Sequence, residues 1–124
     1  KEGIGRLSAY CGAVTAGGGA GAGVCYLYGG RYKEIAHTIV NAVDIDSGMI
    51  CDGAKASCAA KIASAVEAGL LGWKMQQHHS QFYGGDGIVV KGVENTIRNV
   101  GTLASEGMRE TDRTIIRLMT SGMC

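Results

Sequence analysis

The sequence contains no proline, although glycine accounts for 21 of its 124 residues. Flexible linkers usually combine both residue types, so this imbalance argues against a disordered linker. Glycine without proline is expected where backbones pack closely together. A chain of this length has the size of one ordinary domain and can bury a core of its own. We therefore expect one compact domain over residues 1–124.

Excess charge of either sign is also absent, since the 12 Lys and Arg residues are balanced by 11 Asp and Glu residues. A net charge of +1 provides neither the basic footprint of a nucleic-acid-binding protein nor a polybasic membrane patch. No compact apolar segment typical of a secretory signal peptide follows the first charged residues. The five cysteines lack the spacing of a secreted disulfide scaffold. We expect a reducing, cytoplasmic location with no nucleic-acid partner and no membrane.

Apolar residues recur with helical spacing along most of the chain. A first helix is expected over residues 4–28, interrupted near residues 17–19 because glycine costs about 1 kcal/mol relative to alanine in a helix interior. Other helices are predicted over residues 32–43, 55–77 and 88–106, with a last helix capped by Thr111. The residues expected on buried faces are Ile35, Ile39, Val43, Ala59, Ile62, Val66, Leu70, Val93, Ile97, Val100, Ala104, Ile115, Ile116 and Met119. The predicted fold class is all-α: a compact bundle of about five helices with a central helix rich in small residues.

The stretch CGAVTAGGGAGAGVC, residues 11–25, allows three interpretations. Gly17, Gly19 and Ala22 match the glycine pattern of a dinucleotide-binding loop, but no apolar strand precedes them and no βαβ alternation follows. Residues 7–30 are uncharged and long enough to cross a bilayer, yet they lack the runs of large apolar residues that drive insertion. The remaining interpretation, a buried helix that its neighbours approach closely, fits an all-α domain best.

Three of the cysteines, Cys11, Cys51 and Cys58, form the pattern C-x39-C-x6-C. Free cysteines are often small buried hydrophobic residues, and this interpretation stays open for the three. A metal site is the other interpretation, because Cys58 lies near the start of a predicted helix, where the helix dipole favours the metal-binding thiolate. The spacing matches neither a zinc ribbon nor a ferredoxin. We expect Cys25 to be buried packing.

Three segments carry a resemblance to a known family: GRLSAYCGAVTAGGGAGAG, GRYKEIAHTIVNAVDIDSGMICDGAKASCAAKI and ETDRTIIRLM. They resemble the C-terminal part of the L-cysteine desulfidase family, which is related to the α chain of bacterial iron–sulfur L-serine dehydratases. The resemblance implies that Cys11, Cys51 and Cys58 hold a [4Fe–4S] cluster. It implies a β-eliminating lyase that converts an amino acid to pyruvate and ammonia, without pyridoxal phosphate.

The resemblance also implies that the chain is the cluster-binding part of a longer enzyme. Family members carry an N-terminal region that has no counterpart here and that is expected to supply acid/base chemistry, so this chain alone is predicted to turn over little substrate. Ser47, Gly48 and Asp52 flank Cys51 and are our candidates for contacts with the amino-acid substrate. The choice between cysteine and serine stays open. Cys124 is interpreted as a terminal thiol in solvent, with a role in plugging the cluster as the alternative.

A second class of function is a non-enzymatic helical module whose small-residue faces mediate assembly. A homo-oligomer is compatible with both classes.

Overall fold

A computed structural model describes residues 8–122. Five α-helices follow one another: α1 (Gly12–Leu27), α2 (Tyr32–Ile45), α3 (Cys58–Gln77), α4 (Val93–Thr102) and α5 (Arg109–Thr120). A π-helical turn, Leu103–Gly107, lies between α4 and α5. Within residues 8–122 the structure contains no β-strand, only an isolated antiparallel bridge between Tyr10 and Ile50. The prediction of an all-α bundle of five helices is confirmed.

The backbones of α1 and α3 touch each other, and glycine is what allows the contact. A Cβ atom added to Gly17 would overlap the backbone of Ala65, and one added to Gly21 would overlap the backbone of Gly69. From the first contact to the second, the residue number rises by four on α1 and by four on α3. The two helices therefore run in the same direction. The glycine-rich stretch is therefore a buried helix with a close neighbour, as the third interpretation predicted.

A second close contact joins α2 to α3. A Cβ atom on Gly72 would lie 2.8 Å from the carbonyl oxygen of Thr38. Asn41, which is fully buried, donates from Nδ2 to the Gly72 carbonyl at 3.0 Å and accepts from the Phe82 amide at 2.9 Å. Because buried amides without partners are costly, this pairing of both ends of the Asn41 side chain fixes α2, α3 and the following loop together.

Helix α1 differs from the sequence prediction in two respects. It is continuous through residues 17–19, where a break was predicted, because the close contact with α3 compensates for the low helix propensity of glycine. It begins at Gly12, because Cys11 has an extended backbone with φ −68° and ψ 124°. Residues 4–7 of the predicted helix lie outside the described residues. None of the described helices is both long enough and apolar enough to cross a bilayer.

Three other helix boundaries were also predicted wrongly. Helix α3 begins at Cys58 rather than at residue 55, because residues 54–57 form turns. Helix α4 begins at Val93 rather than at residue 88, since the preceding loop ends on Gly92, which has a φ of +95°. Helix α5 begins at Arg109, so Thr111 is inside it rather than at its cap.

Two predicted buried faces are exposed. Helix α3 buries its small residues instead of Ile62 and Leu70, which are 52% and 39% exposed, because its backbone approaches α1 and α2. Helix α5 contains no fully buried residue among those described, and Ile116 and Met119 are more than half exposed. Periodicity correctly identified apolar stripes on both helices, but the described residues do not cover these stripes.

We predict that Gly21→Ala destabilises the protein by about 1–3 kcal/mol, because the added methyl group overpacks the contact with Gly69. The matched control is Gly19→Ala on the same helix, where a Cβ atom has no neighbour within 4 Å. That variant should gain roughly 0.5–1 kcal/mol from helix propensity. Urea unfolding followed by circular dichroism measures both changes. Equal effects of the two substitutions would contradict the close contact.

Candidate metal centre

A short backbone pairing places two of the three cysteine-bearing segments side by side. The Cys11 amide donates to the Met49 carbonyl at 3.0 Å, and the Cys51 amide donates to the Ala9 carbonyl at 2.5 Å. These two bonds flank the antiparallel bridge between residues 10 and 50. Alternate residues of such a pair share a face, so Cys11 and Cys51 project to the same side. Cys11 is buried, and the partly buried Cys51 packs against the apolar cluster that includes it.

The third cysteine reaches the same end of the bundle through the direction of the helices. Cys11 precedes Gly17 by six residues and Cys58 precedes Ala65 by seven, and these are the residues at which α1 and α3 touch. Measured from the helix contact, both cysteines therefore lie about 9–11 Å back toward the N-termini of helices that run in the same direction. Each stands at a helix N-terminus, where the aligned peptide dipoles create a positive potential that favours thiolates and other anions.

The loop between Cys51 and Cys58 orients the Cys58 thiol. Gly53 has a φ of +97°, a conformation that side-chain-bearing residues rarely adopt, and it lets the chain reverse there. The Lys55 amide donates to Cys58 Sγ at 3.4 Å, and Sγ lies 3.5 Å from the Gly53 carbonyl oxygen, to which the thiol donates. Met119 of α5 packs beside this loop, since a Cβ atom on Gly53 would lie 3.2 Å from Met119 Cε.

Charged side chains surround these cysteines. Asp52 receives hydrogen bonds from the ammonium groups of Lys55 and Lys61, and these hold the pKa of its carboxyl well below the usual range. Lys61 also donates to the Ile50 carbonyl at 2.8 Å. Its own pKa is raised, first by the hydrogen bond to Asp52 and to a smaller extent by the nearby charges of Cys11 and Cys58.

Sequence reasoning missed Lys61, although its sequence position carried a signal. Lys61 lies three residues after Cys58, and residues three apart on a helix share a face. A lysine in this position on a helix that begins with a candidate thiolate ligand could have been identified as a neighbour of the site. Its partners, Asp52 and the Ile50 carbonyl, could not, because they depend on the path of the loop.

The predicted substrate contacts lie beside the cysteine-bearing segments. Ser47 is partly buried in the turn after α2, where its amide donates to the Asp44 carbonyl at 3.2 Å. Gly48 is exposed and faces open space, and its backbone does not require glycine. Asp52 is held between its two lysines. The structure thus brings these residues to the end of the bundle that carries Cys51, and whether they bind a substrate stays a prediction.

Cys25 does not belong to this group. Cys25 is 1% exposed and lies near the C-terminal end of α1, about 20 Å from Cys11 along the helix, so its prediction as buried packing is confirmed. Cys124 lies outside the described residues.

The described residues contain no preformed site for a single metal ion. Among residues 8–122, no three His, Cys, Asp or Glu side chains stand close enough together to hold one metal ion. A [4Fe–4S] cubane is larger, because each protein ligand binds a different iron, and its protein ligands are thiolates. Three cysteines on neighbouring segments, at two helix N-termini and near a lysine, have the chemistry that such a cluster requires.

A groove of about 690 Å³ lies between α1, α2 and α4, and no cysteine is among the residues that line it. Tyr10, which lines it, is 2% exposed, and its hydroxyl has no hydrogen-bond partner within the described part of the chain. Burial, followed by the charges of Asp46, Cys11 and Asp44, raises the pKa of Tyr10 to about 12. The phenol therefore stays protonated at neutral pH and can act only as a neutral hydrogen-bonding group.

Comparison with known proteins finds one matching family model and several similar curated proteins. The family model described as serine dehydratase alpha chain matches residues 1–117. Similar curated proteins are UPF0597 proteins of Desulfitobacterium hafniense strain Y51 (64% identical), Lachnoclostridium phytofermentans (55%) and Treponema denticola (50%). Each match covers 119 residues, or 96% of this chain, but only 28% of the relative. The chain thus spans less than a third of the length of these relatives. No solved structure matches it.

We predict that Asp52→Asn lowers the free energy of unfolding at pH 7, because two lysines lose their charged partner. The pKa of Asp52 is lower in the folded chain than the unfolded value of about 3.9, so its contribution is complete above that pH and declines as the pH falls below it. The difference between variant and wild type should therefore shrink below about pH 4. Urea unfolding of the metal-free protein at a series of pH values measures it.

The control for this prediction is Glu110→Gln, which removes a similarly spaced but exposed ion pair with Arg113. Its effect should stay within about 0.5 kcal/mol at every pH. An Asp52→Asn effect of the same small size would show that the two lysine contacts contribute nothing to stability.

Proposed function

Because this chain belongs to the serine dehydratase alpha chain family, we propose that it is the cluster-binding part of a [4Fe–4S]-dependent lyase. The observation that supports the proposal is that the segments bearing the three cysteines lie at one end of the helical core. Cys11 and Cys51 project from one backbone pair, and Cys58 stands at the same end of the helical core. A lyase acting on an amino acid is the activity that the family suggests.

In this proposal Cys11, Cys51 and Cys58 hold the cluster as thiolates. When bound, a cluster with three protein ligands supplies an iron with an open coordination position, a Lewis acid suited to the departing thiol or hydroxyl of the substrate. The N-termini of α1 and α3 favour the thiolate forms of Cys11 and Cys58. The buried position of Cys11 keeps water away from its side of the site.

Ser47, Gly48 and Asp52 are proposed to contact the substrate. Gly48 is open to solvent and leaves room for a ligand beside Cys51. Ser47 offers a hydroxyl in the turn that leads into the paired segment. The carboxylate of Asp52, which Lys55 and Lys61 hold in place, is proposed to accept a hydrogen bond from the substrate ammonium group.

The overall reaction is β-elimination. An L-cysteine or L-serine substrate loses its α-proton and its thiol or hydroxyl, and the resulting enamine hydrolyses to pyruvate and ammonia, with sulfide or water as the other product. Both leaving groups suit the proposed site, and the family match favours serine only by its name. We infer that the proton-transferring groups belong to a part of the longer protein that lies outside this chain. The chain itself spans only 28% of the length of its relatives. We further infer a cytoplasmic setting, consistent with four cysteines that form no disulfide within residues 8–122.

A non-enzymatic assembly module is the second candidate. The uncovered apolar stripes of α3 and α5, on which Ile62 and Ile116 are both 52% exposed, favour it. Such stripes also suit a domain that packs against the rest of a longer enzyme. Cluster loading therefore discriminates between the two candidates.

We predict that Cys51→Ala loses most of its bound iron and sulfide after anaerobic reconstitution, together with the visible absorbance of an iron–sulfur cluster. The matched control is Cys25→Ala, which removes a buried thiol at the other end of α1 and should load like the wild type. Iron and sulfide analysis with absorbance spectroscopy measures loading. Undiminished colour in Cys51→Ala would refute the ligand assignment, and a wild type that binds no cluster would favour the assembly module.

We predict that the reconstituted 124-residue chain forms little pyruvate from L-serine or L-cysteine. The full-length relative from Desulfitobacterium hafniense, reconstituted in the same way, should form it readily from one of them. A lactate dehydrogenase-coupled assay measures both rates. Comparable activity of the short chain would show that the proton-transferring groups lie within it.

A further inference from the structure

Lys61 connects two of the segments that carry the candidate ligands. It belongs to the first turn of α3, which begins with Cys58, and its ammonium group reaches across to the segment that carries Cys51. There it donates to the Ile50 carbonyl at 2.8 Å and to Asp52 Oδ1 at 2.6 Å, the residues on either side of Cys51. Lys61 is thus hydrogen-bonded to both sequence neighbours of one cysteine while standing one helical turn from another.

The environment of Lys61 differs from that of an ordinary surface lysine. Its side chain is 23% exposed, whereas that of Lys55, which contacts the same carboxylate, is 49% exposed. An ammonium group has three N–H donors, and the hydrogen bonds to Ile50 and Asp52 use two of them. The third has no acceptor within residues 8–122. Cys58 lies one helical turn before Lys61 on the same face of α3.

We propose that Lys61 is a positioning residue of the cysteine site. It connects the Cys51 segment to the N-terminus of α3, and it places a positive charge beside the sulfurs. Three thiolates and a cluster bring net negative charge into a partly buried site, and a fixed cation offsets part of that cost. Outer-shell groups that orient metal ligands in this way affect metal affinity strongly. The inference rests on the proposed function in so far as the ligands hold a cluster.

The test compares Lys61→Met, Lys61→Arg and Lys55→Met with the wild type. Met keeps most of the apolar stem but removes the charge and the donors, whereas Arg keeps both. Lys55→Met is the matched control, because Lys55 contacts Asp52 but makes no hydrogen bond to Ile50 within the described residues. Circular dichroism and thermal unfolding establish that each variant is folded.

The first measurement is the rate at which the reconstituted proteins lose iron to a chelator. We expect Lys61→Met to lose it roughly 10- to 100-fold faster than the wild type. Lys61→Arg should stay close to the wild type, and so should Lys55→Met. Equal rates in all four proteins would overturn the inference, and equally fast loss from Lys61→Arg and Lys61→Met would overturn the role of the positive charge.

The second measurement needs no cluster. Hydrogen exchange of the metal-free chain at the Cys11 and Cys51 amides reports on the backbone pairing that Lys61 holds through the Ile50 carbonyl. Exchange should be faster in Lys61→Met and unchanged in Lys55→Met. If the wild type binds no cluster, the proposed function fails. The exchange measurement still shows whether Lys61 stabilises the backbone pairing through the Ile50 carbonyl. If the wild type binds a cluster and exchange is unchanged in Lys61→Met, the inference alone fails.

Discussion

The contact between the backbones of α1 and α3 is the constraint on which the rest of the structure depends. Gly17 and Gly21 meet Ala65 and Gly69, and the side chain of Ala65 at this contact is a single methyl group. In this contact the two helices run in the same direction, which places both of their N-termini at one end. Helix α2 then returns the chain to that end, where the turn at Ser47 leads into the segment that pairs with residues 9–11. The cysteine site is therefore a consequence of how the glycine-rich helix packs.

The same contact explains which parts of the fold could be predicted from the sequence. The absence of proline and the abundance of glycine indicated a close helix contact, and the structure has one. Hydrophobic spacing correctly indicated five helices, but it selected the wrong face of α3. That helix carries both a stripe of large apolar residues and a stripe of small ones, and the small stripe is buried because only small residues let backbones touch. Periodicity cannot reveal this choice, because it depends on the partner helix.

The candidate site was predictable to a similar degree. The spacing of Cys11, Cys51 and Cys58 and the resemblance to a family named the residues, and the helix start at Cys58 was nearly correct. The pairing of residues 9–11 with 49–51 was not predictable, because it joins segments 40 residues apart through backbone hydrogen bonds that any sequence can make. For the same reason the partners of Lys61 became visible only in the structure.

The glycine contact also determines how the site can move. Side chains between helices can change rotamers and so let the helices slide relative to one another, but glycine and the Ala65 methyl group, which meet where α1 and α3 touch, have no rotamers to change. The two helices therefore move together. The spacing between Cys11 and Cys58 depends on the contact at Gly17 and Ala65, which lies six residues after Cys11 and seven after Cys58. A displacement of either helix moves the cysteine at its N-terminus with it. The distance between the two cysteines is therefore expected to follow the packing of α1 against α3 rather than the conformations of side chains between the helices.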